Sequence, residues 1–249
     1  MILRNKWYMI DIHSHILSGV DDGAKNFERS VDMLDMAVAD GITTLFATPH
    51  YSKTLPAVLE NTFNRLQPLA AERGITLIKG SEIDYVHLVD TRPLITLGNS
   101  NFVLIDMRQP FLEMSCENVL DSVQRDKYRI IIAHPERLFM ERDLKSVKRL
   151  AEIDCVFQLN ASSVVGAHGT GAQKMAFKII EAGFAHYIGS DAHGKQRGFY
   201  LSAAREIITK KYGKPVAELL FEENARQLLQ NQDPFRVVVK ARKWYHFFR

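Results

Sequence analysis

The feature that most restricts the fold of this chain is the alternation of short apolar runs with longer segments of helical period. The runs are four to six residues long and comprise residues 7–12, 43–47, 76–79, 102–105, 129–133, 155–159 and 185–188. Short runs that are apolar on both faces are typical of buried parallel strands. The intervening segments are long enough for crossovers, and no Asn-Gly or Asp-Gly dipeptide joins two runs as a hairpin. The pattern therefore predicts parallel strands connected by helices.

Three of the connecting segments carry clear helix signals. Apolar residues recur at helical spacing over 27–40, 62–73 and 173–182, and a glycine follows each segment as a stop signal. Asn26 precedes the first segment as a candidate N-cap. Seven strand–helix units in 249 residues are typical of a β/α barrel or of a doubly wound sheet. The fold class is α/β, and periodicity alone leaves both architectures open.

The charge of the chain is unevenly distributed. The formal net charge is +3, but residues 236–249 hold five basic residues and no acidic one. Residues 1–235 therefore carry 27 basic against 29 acidic residues, and no linker or repeat divides them. We predict one domain over 1–235 followed by a basic, aromatic tail over 236–249. A body with a slight negative charge offers little to a phosphate backbone, so no nucleic-acid partner is expected.

The tail allows two interpretations. It interleaves lysines and arginines with Trp244, Tyr245, Phe247 and Phe248. One interpretation is a terminal strand or a frayed end. The other is peripheral contact with an anionic membrane surface or with an acidic partner, because basic and aromatic side chains together favour such surfaces.

The sequence also predicts a cytoplasmic location. No apolar run approaches about 18 residues, the length that a membrane-spanning helix needs, and Arg4 and Lys6 interrupt the amino terminus where a signal peptide would be apolar. Cys116 and Cys155 are expected to be buried free thiols, which suits a reducing compartment.

The first apolar run leads into a pair of histidines. His13 and His15 are two residues apart, so in an extended strand both side chains lie on one face. Asp11 lies one layer below them and is expected to orient one imidazole ring. Two imidazoles on one face can provide half of a metal site.

Every other apolar run also ends in a residue that can bind a metal or a polar group. These strand-end residues, taken over all seven runs, are His13, His15, His50, Glu82, Asp106, His134, Asn160, Asp191 and His193. In a barrel such strand ends meet on one face. Imidazoles and carboxylates without a thiolate suit Mn, Fe or Zn ions and disfavour a structural zinc site. So many ligands predict two or three ions, with a carboxylate such as Glu82 bridging. The other histidines, expected to be packed or solvated, are His87, His168, His186 and His246.

Six motifs follow one another along the chain: Asp11-Ile-His13-Ser-His15, Val20-Asp-Asp-Gly23, Thr48-Pro-His50, Glu82, Ala133-His-Pro-Glu-Arg137 and Ser190-Asp-Ala-His193. In this order they resemble the polymerase-and-histidinol-phosphatase (PHP) superfamily. The Asp-Asp-Gly segment near the start and the Glu223-Asn-Ala-Arg226 segment near the end resemble the CpsB/CapC-type protein-tyrosine phosphatases of bacterial capsule and exopolysaccharide loci. The resemblance covers residues 8–230.

This resemblance implies a distorted seven-stranded (β/α) TIM-like barrel with a centre of three metal ions, usually manganese. The implied ligands of the first ion are His13, His15, Glu82 and Asp191. Glu82 would bridge to a second ion, which Asp106 and His134 would also hold. The implied ligands of the third ion are Asp22, His50 and His193. Arg137 and Arg197 match the two arginines that bind phosphate in the family.

Two departures from the family pattern are visible. Asp106 occupies a position where the family usually has the longer glutamate. The stretch after Asp191-Ala-His193 is one residue shorter than in the family, which weakens the match of Arg197 relative to that of Arg137.

The resemblance implies metal-dependent hydrolysis of phosphotyrosine, and the expected substrate is a membrane-associated bacterial tyrosine kinase that regulates polysaccharide export. Divalent ions lower the pKa of water, which provides hydroxide for in-line attack on phosphorus. The two arginines would neutralise phosphate oxygens. A phenol leaving group, with a pKa of about 10, makes a modest demand on a general acid, and the sequence identifies none.

Four other functions are considered. A small-molecule phosphomonoesterase of the same superfamily, acting on a compound such as histidinol phosphate, is the nearest. A PHP-type nuclease is disfavoured by the charge of residues 1–235. A non-catalytic regulatory scaffold is disfavoured because every motif position offers a metal-binding side chain. An amidohydrolase would share the paired histidines but usually has a bridging lysine or a further histidine where this chain has Asn160.

Overall fold

The fold consists of parallel β-strands with helices between them. The computed structural model describes residues 8–52, 55–89, 91–107, 114–138 and 144–239. The strands are β1 (Met9–Asp11), β2 (Ile42–Ala47), β3 (Thr76–Lys79), β4 (Glu82–Asp84), β5 (Phe102–Asp106), β6 (Arg129–Ala133), β7 (Val156–Asn160) and β8 (Ala185–Gly189). Neighbouring strands pair in parallel throughout both sheets. The predicted α/β class is confirmed.

Helices follow most strands. They are α1 (Phe27–Ala39), α2 (Leu55–Glu72), α3 (Met114–Arg125), α4 (Pro135–Leu138), α5 (Lys145–Glu152), α6 (Ala161–Val164), α7 (Gly169–Glu181), α8 (Leu201–Tyr212), α9 (Lys214–Glu218) and α10 (Asn224–Leu229). A 3₁₀ turn at Tyr85–His87 follows β4, and a π-helical turn at Leu219–Glu223 links α9 to α10.

The predicted helix positions are right, but two of the starts are wrong. The Asn26 side chain accepts a hydrogen bond from the backbone N–H of Arg29 and so caps α1 as expected. α2 begins at Leu55 instead of residue 62, because its buried residues Leu55, Leu59, Phe63, Leu66 and Ala70 continue the apolar stripe toward the amino end. α7 likewise begins at Gly169 instead of residue 173.

The strands form two sheets, and the expected count of seven strands is corrected to eight within the described ranges. The first sheet has the order β1-β2-β3 and the second the order β4-β5-β6-β7-β8. The third predicted strand ends at Lys79 as expected, and the additional strand is β4, which follows an interruption at Gly80 and Ser81 and was not predicted. Opposite the interruption, Pro49 has no N–H to donate, and the Ser81 hydroxyl donates to the Pro49 carbonyl at 2.9 Å.

Single parallel bridges connect the two sheets at both junctions. One joins Ser14, just beyond β1, to Ala192, just beyond β8, and the other joins His50 to Glu82. At the first junction the backbone N–H of His15 donates to the Ala192 carbonyl at 2.9 Å. Both bridges lie beside the polar strand-end residues, just beyond the carboxyl ends of β1, β2 and β8 and at the start of β4.

Two apolar cores hold the elements together. The larger core packs the helices against the outer faces of the strands. The smaller core lies on the opposite faces and includes Ile10, Phe46, Leu104, Ile131 and Tyr187, one from each of five strands. α10 adds Leu228 to this inner core. Burying branched and aromatic side chains contributes roughly 1.5–3 kcal/mol each, which fixes the strands in register and the strand ends in space.

The carboxyl-terminal part of the description reaches into the predicted tail. Val237 is buried against the larger core, and the Arg236 guanidinium lies 5.6 Å from the centre of the Phe184 ring. Residues 240–249, which hold the aromatic part of the tail and His246, lie outside the described residues, as does Trp7 of the first predicted strand. Among the described helices, none is long and apolar enough to cross a membrane.

Candidate metal centre

The extension of β1 places two imidazoles against each other. His13 and His15 are both completely buried, and their Nε2 atoms lie 3.2 Å apart. Two nitrogens that share one ion at about 2.1 Å each would be separated by roughly 3.0–3.4 Å at the angles found in such sites. The paired histidines therefore have the spacing of ligands to a common ion.

Two buried carboxylates complete the first cluster. Glu82 Oε2 lies 3.4 Å from Nε2 of both His13 and His15. Asp191 Oδ1 lies 3.7 Å from the His13 nitrogen and 3.4 Å from the His15 nitrogen. The structure thus brings together the four side chains that the resemblance assigns to the first ion.

The second cluster shares His13 and Glu82 with the first. His134 Nε2 lies 2.8 Å from Glu82 Oε1, so the two oxygens of this carboxylate face different clusters. Such a carboxylate is positioned to bridge. Asp106 lines the same cavity, but it belongs to none of the groups in which candidate ligand atoms all lie within 4.8 Å of one another. Its side chain is one methylene shorter than the glutamate usual in the family.

The third cluster lies nearer the surface. His193 Nε2 and His50 Nε2 lie 3.1 Å and 3.4 Å from Asp22 Oδ1, and His15 is within reach of the same group. The loop that carries Asp22 approaches His15 closely at Gly23. A Cβ atom at Gly23 would lie 2.0 Å from the His15 carbonyl oxygen, so only glycine fits there.

Both predicted arginines reach the centre. Arg137 and Arg197 each donate to Asp191 Oδ2 at 2.8 Å. They line a cavity of about 560 Å³ together with Asp22, His50, Glu82, Asp106, His134, Leu138, His168 and Asp191. The cavity is large enough for a phosphate group and places two guanidinium groups beside the clusters.

The expected role of Asp11 is wrong. Its Oδ1 accepts hydrogen bonds from the backbone N–H groups of His13 and Ser190, at 3.2 Å and 2.9 Å, and it does not orient an imidazole ring. The rings are held by residues that sequence reasoning missed. Gln158 Oε1 lies 2.9 Å from His13 Nδ1, and Asp21 Oδ2 lies 2.7 Å from His15 Nδ1.

Further support for the clusters comes from β7 and α4. The Asn160 amide donates to Asp191 Oδ2 at 2.8 Å, beside the two arginines. Glu136 is buried and accepts from the Asn160 backbone N–H and from the Ser163 hydroxyl. Burial raises the pKa of Glu136 despite these bonds. Asn160 was found as a strand end, whereas no pattern distinguished Glu136 from its neighbours in the motif.

His168 is closer to the centre than sequence analysis indicated. It directly precedes α7, is half-buried and lines the same cavity as the two arginines. Burial lowers the pKa of His168, and the charge of Arg137 lowers it further. The imidazole is therefore neutral near pH 7. Its lone position between helices gave no periodic or motif signal.

Carboxylates and imidazoles shift each other's pKa values within the clusters. Burial alone would raise the pKa of Glu82, but His13 and His134 hold it well below its usual range. Burial alone would lower the pKa of His134, but the hydrogen bond and charge of Glu82 raise it to about 9. In the same way Asp191 has a lowered pKa and His15 a raised one. The buried carboxylates are therefore ionised and attract positive charge.

Comparison with known proteins identifies the family. Residues 9–230 match the family model described as capsular polysaccharide synthesis, CpsB/CapC. The chain belongs to the CpsB/CapC family. The tyrosine-protein phosphatase YwqE of Bacillus subtilis is 33% identical over 255 residues, covering 96% of this chain and 100% of the relative. The tyrosine-protein phosphatase CpsB of Streptococcus pneumoniae is 30% identical, covering 90% and 99%.

Solved structures agree with the assignment to the CpsB/CapC family. One comes from a study of YwqE of B. subtilis and CpsB of S. pneumoniae, described as metal-dependent tyrosine phosphatases, and matches with a TM-score of 0.81 at 30% identity. It covers 94% of this chain, and this chain covers all of it. A phosphotriesterase homology protein from Escherichia coli matches with a TM-score of 0.59 at 10% identity, which supports the α/β fold alone.

The side chains of this CpsB/CapC member fit divalent metal ions. Glu82 Oε2 is buried and accepts no hydrogen bond of acceptable geometry, although imidazole nitrogens surround it at 2.9–3.4 Å. Buried polar atoms normally have a partner, and a cation among these nitrogens would provide one. The donor set of imidazoles and carboxylates is that of Mn, Fe or Zn sites.

Cavity size alone would have suggested a different site. A cavity of about 910 Å³ lies at the amino ends of β5, β6 and β7, with Arg129, Glu152 and Phe184 among its residues. Within the described part of the chain, none of the three groups with metal-ligand spacing borders it. The smaller cavity at the carboxyl ends carries the chemistry, in agreement with the general position of active sites on parallel α/β folds.

Proposed function

We propose that this protein is a metal-dependent protein-tyrosine phosphatase, a phosphomonoesterase that hydrolyses phosphotyrosine on proteins. The observation that carries the proposal is the joining of three metal-ligand clusters and two arginines around one cavity. The names of the CpsB and YwqE relatives support the substrate class, and the capsular function in the family description supports a role in polysaccharide synthesis.

We further propose which residues hold the ions. His13, His15, Glu82 and Asp191 would hold one ion, and Glu82 would share a second with His134 and Asp106. Asp22, His50 and His193 would hold a third. Manganese is the proposed native metal, with iron or zinc as alternatives that the same ligands accept. Bound ions would act as Lewis acids toward phosphate oxygens and would lower the pKa of water at the site.

The chain's own residues bind and orient the phosphate. Arg137 and Arg197 point into the cavity from different elements, so two guanidinium groups would hold the phosphate oxygens at a fixed orientation. Both now donate to one oxygen of Asp191. A phosphate dianion in the cavity would compete with Asp191 for these donors.

The arrangement of the strands supports a barrel-like enclosure of this cavity. We propose that β3 and β4 act as two halves of one strand, which gives a distorted seven-stranded ring closed by the Ser14–Ala192 and His50–Glu82 bridges. Residues 1–235 would form this catalytic unit, and the basic tail would follow it. The proposed substrate is a membrane-associated bacterial tyrosine kinase that controls capsule or exopolysaccharide synthesis, reached from the cytoplasm.

The test uses purified protein that has been stripped of metal and then reloaded with Mn, Fe or Zn. Phosphotyrosine peptide turnover is expected only in the loaded protein, and His13→Ala should lose both turnover and bound metal as counted by mass spectrometry. His87→Ala, which changes a histidine away from the clusters, is the matched control. Turnover that survives both chelation and His13→Ala would refute the proposal.

Two further arms of this test separate the alternatives. Faster turnover of histidinol phosphate than of phosphotyrosine peptides would favour a small-molecule phosphatase. A protein that binds no metal and is not stabilised by any of the three ions would favour a non-catalytic scaffold. The three groups of side chains with metal-ligand spacing favour metal binding over a scaffold, and they do not separate the two phosphatase substrates.

A further inference from the structure

A second cavity adjoins the proposed catalytic cavity. It has a volume of about 530 Å³ and lies between α1 and the loop that joins β8 to α8. Asp22 and Arg197 line both cavities, so the two form one continuous depression. We refer to the second cavity as the lysine cleft, after Lys25 and Lys195 at its edges. Its volume falls within the range of about 300–1,000 Å³ that is usual for ligand sites.

The floor of the lysine cleft is apolar. Met33 is buried and Met36 is half-buried, and both lie on the face of α1 that forms one wall. A Cβ atom at Gly198 in the opposite loop would lie 3.7 Å from the end of the Met36 side chain, so the two walls pack against each other below the opening. Methionines adapt to side chains of different shape, which suits a cleft that accepts varied apolar groups.

The rim of the lysine cleft carries unbalanced positive charge. Arg29 is paired with Asp32 at 2.8 Å, and Arg197 is paired with Asp191. Lys25 and Lys195 are exposed, and no acidic group among the described residues lies within ion-pair distance of either. The cations that remain available for a ligand are therefore the two lysines, one on each wall.

We propose that the lysine cleft binds acidic side chains next to the phosphotyrosine of a protein substrate. This inference rests on the proposed phosphatase function. A peptide whose phosphotyrosine enters the metal cavity must leave it along an adjoining surface, and each extended residue advances about 3.3–3.6 Å. Neighbouring residues then pass over Asp22 and Arg197 into the cleft. Lysine ammonium groups on flexible stems can follow carboxylates at several positions, while the methionine floor accepts an apolar neighbour.

The experiment compares two phosphotyrosine peptides of identical length, one with glutamates and one with glutamines on both sides of the phosphotyrosine. The manganese-loaded protein is expected to prefer the glutamate peptide in kcat/KM. The double variant Lys25→Glu, Lys195→Glu should reduce the ratio of the two kcat/KM values about tenfold, since it replaces two attractions by repulsions. The ratio reports specificity even if the variant is less active toward both peptides.

Two controls sharpen the result. Lys210→Glu makes the same charge change on an exposed part of α8 and should leave the ratio as in the wild type. The milder pair Lys25→Gln, Lys195→Gln should give an intermediate ratio, and it serves as the test if the charge-reversed protein does not fold. Raising the salt concentration to about 0.5 M should shrink the wild-type preference, because exposed charges are screened.

Failure of this inference can be told apart from failure of the proposed function. If the wild-type protein hydrolyses free phosphotyrosine but shows no preference between the peptides, the proposed role of the lysine cleft is refuted and the proposed phosphatase function is not. An equal change of the ratio in Lys210→Glu overturns the role of the lysine cleft as well, because bulk charge would then explain the preference. A loaded protein that hydrolyses neither free phosphotyrosine nor either peptide overturns both proposals.

Discussion

Our principal prediction concerns Asp21, which binds the His15 imidazole and the backbone N–H groups of Gly23 and His50, and so contacts ligands of two proposed ion sites. Its side chain is only 3 % exposed and lies 2.7 Å from His15 Nδ1 through Oδ2. The same oxygen accepts from the His50 backbone N–H at 2.9 Å, and Oδ1 accepts from the Gly23 N–H at 2.9 Å. Asp21→Asn keeps the shape of the side chain but replaces one carboxylate oxygen by an NH₂ group. That NH₂ group then faces an N–H group that the oxygen had bound, and one hydrogen bond is replaced by a contact between two donors.

The expected loss follows from the bonds that are broken. A hydrogen bond to a charged group contributes about 1.5–3 kcal/mol, and each 1.36 kcal/mol corresponds to a factor of ten. Carboxylates that orient a ligating histidine typically affect metal affinity by about 10–100-fold. We therefore expect Asp21→Asn to weaken manganese binding by about 10–100-fold, with turnover partly restored at saturating manganese.

The assay is a calorimetric manganese titration of the stripped protein, with phosphotyrosine turnover followed over the same metal range. Asp35→Asn is the matched control, because Asp35 is an exposed aspartate of α1 that pairs with Arg73. The melting temperature of the stripped variant separates loss of metal binding from loss of folding. The reasoning is refuted if Asp21→Asn binds manganese as tightly as Asp35→Asn does.

Three other predictions concern the close approach, a buried base and the phosphate site. Gly23→Ala places a methyl group against the His15 carbonyl and should cost about 3 kcal/mol, lowering Tm by roughly 6–12 °C in a melting experiment; an unchanged Tm contradicts it. Burial lowers the pKa of His186 to about 4, so the unfolded state binds more protons between pH 4 and 6.5 and stability falls as pH drops through that window. In urea unfolding, the free energy of unfolding should fall by about 1–2 kcal/mol less between pH 7 and pH 5 in His186→Gln than in the wild type. An equal fall in the two proteins would exclude this role of His186. Arg137→Lys should raise KM for phosphotyrosine peptides about tenfold with Tm unchanged, because a lysine lacks the paired donors of a guanidinium; a KM equal to that of the wild type would show that Arg137 does not hold the phosphate.

Much of the fold could be read from periodicity, and the failures have local causes. The strand at Arg129–Ala133 was predicted with its observed bounds because its apolar run ends abruptly at charged and polar neighbours. β4 was missed because it is only three residues long and follows the end of the predicted third strand after Gly80 and Ser81. The start of α2 was missed because the predicted segment was traced from the glycine stop at residue 74, whereas Leu55 and Leu59 extend the apolar stripe further toward the amino end.

The site residues that directly follow a predicted strand could be found from the sequence. The spacing of His13 and His15 indicates a shared face, and Asp191 is found because it follows the end of an apolar run. Asp21 was missed because a residue beside a candidate ligand has no spacing signal of its own. Gln158 was missed for another reason: it lies inside β7, where a polar side chain facing the centre can be recognised only once the strand is placed in its sheet.

Proposed metal ligands contact each other across the two junctions between the sheets. Where the backbone ladder is reduced to one bridge, His13 faces Asp191 across the first junction and His50 faces Glu82 across the second. An ion shared by His13 and Asp191 would join the two sheets at the first junction, and at the second junction His50 and Glu82, which are proposed ligands of different ions, contact each other directly. On metal loading, hydrogen exchange of the backbone amides at Ser14 and His50, which lie at the two junctions, should slow more than exchange in the middle of the five-stranded sheet. Metal binding would then both stabilise the junctions between the sheets and complete the catalytic site.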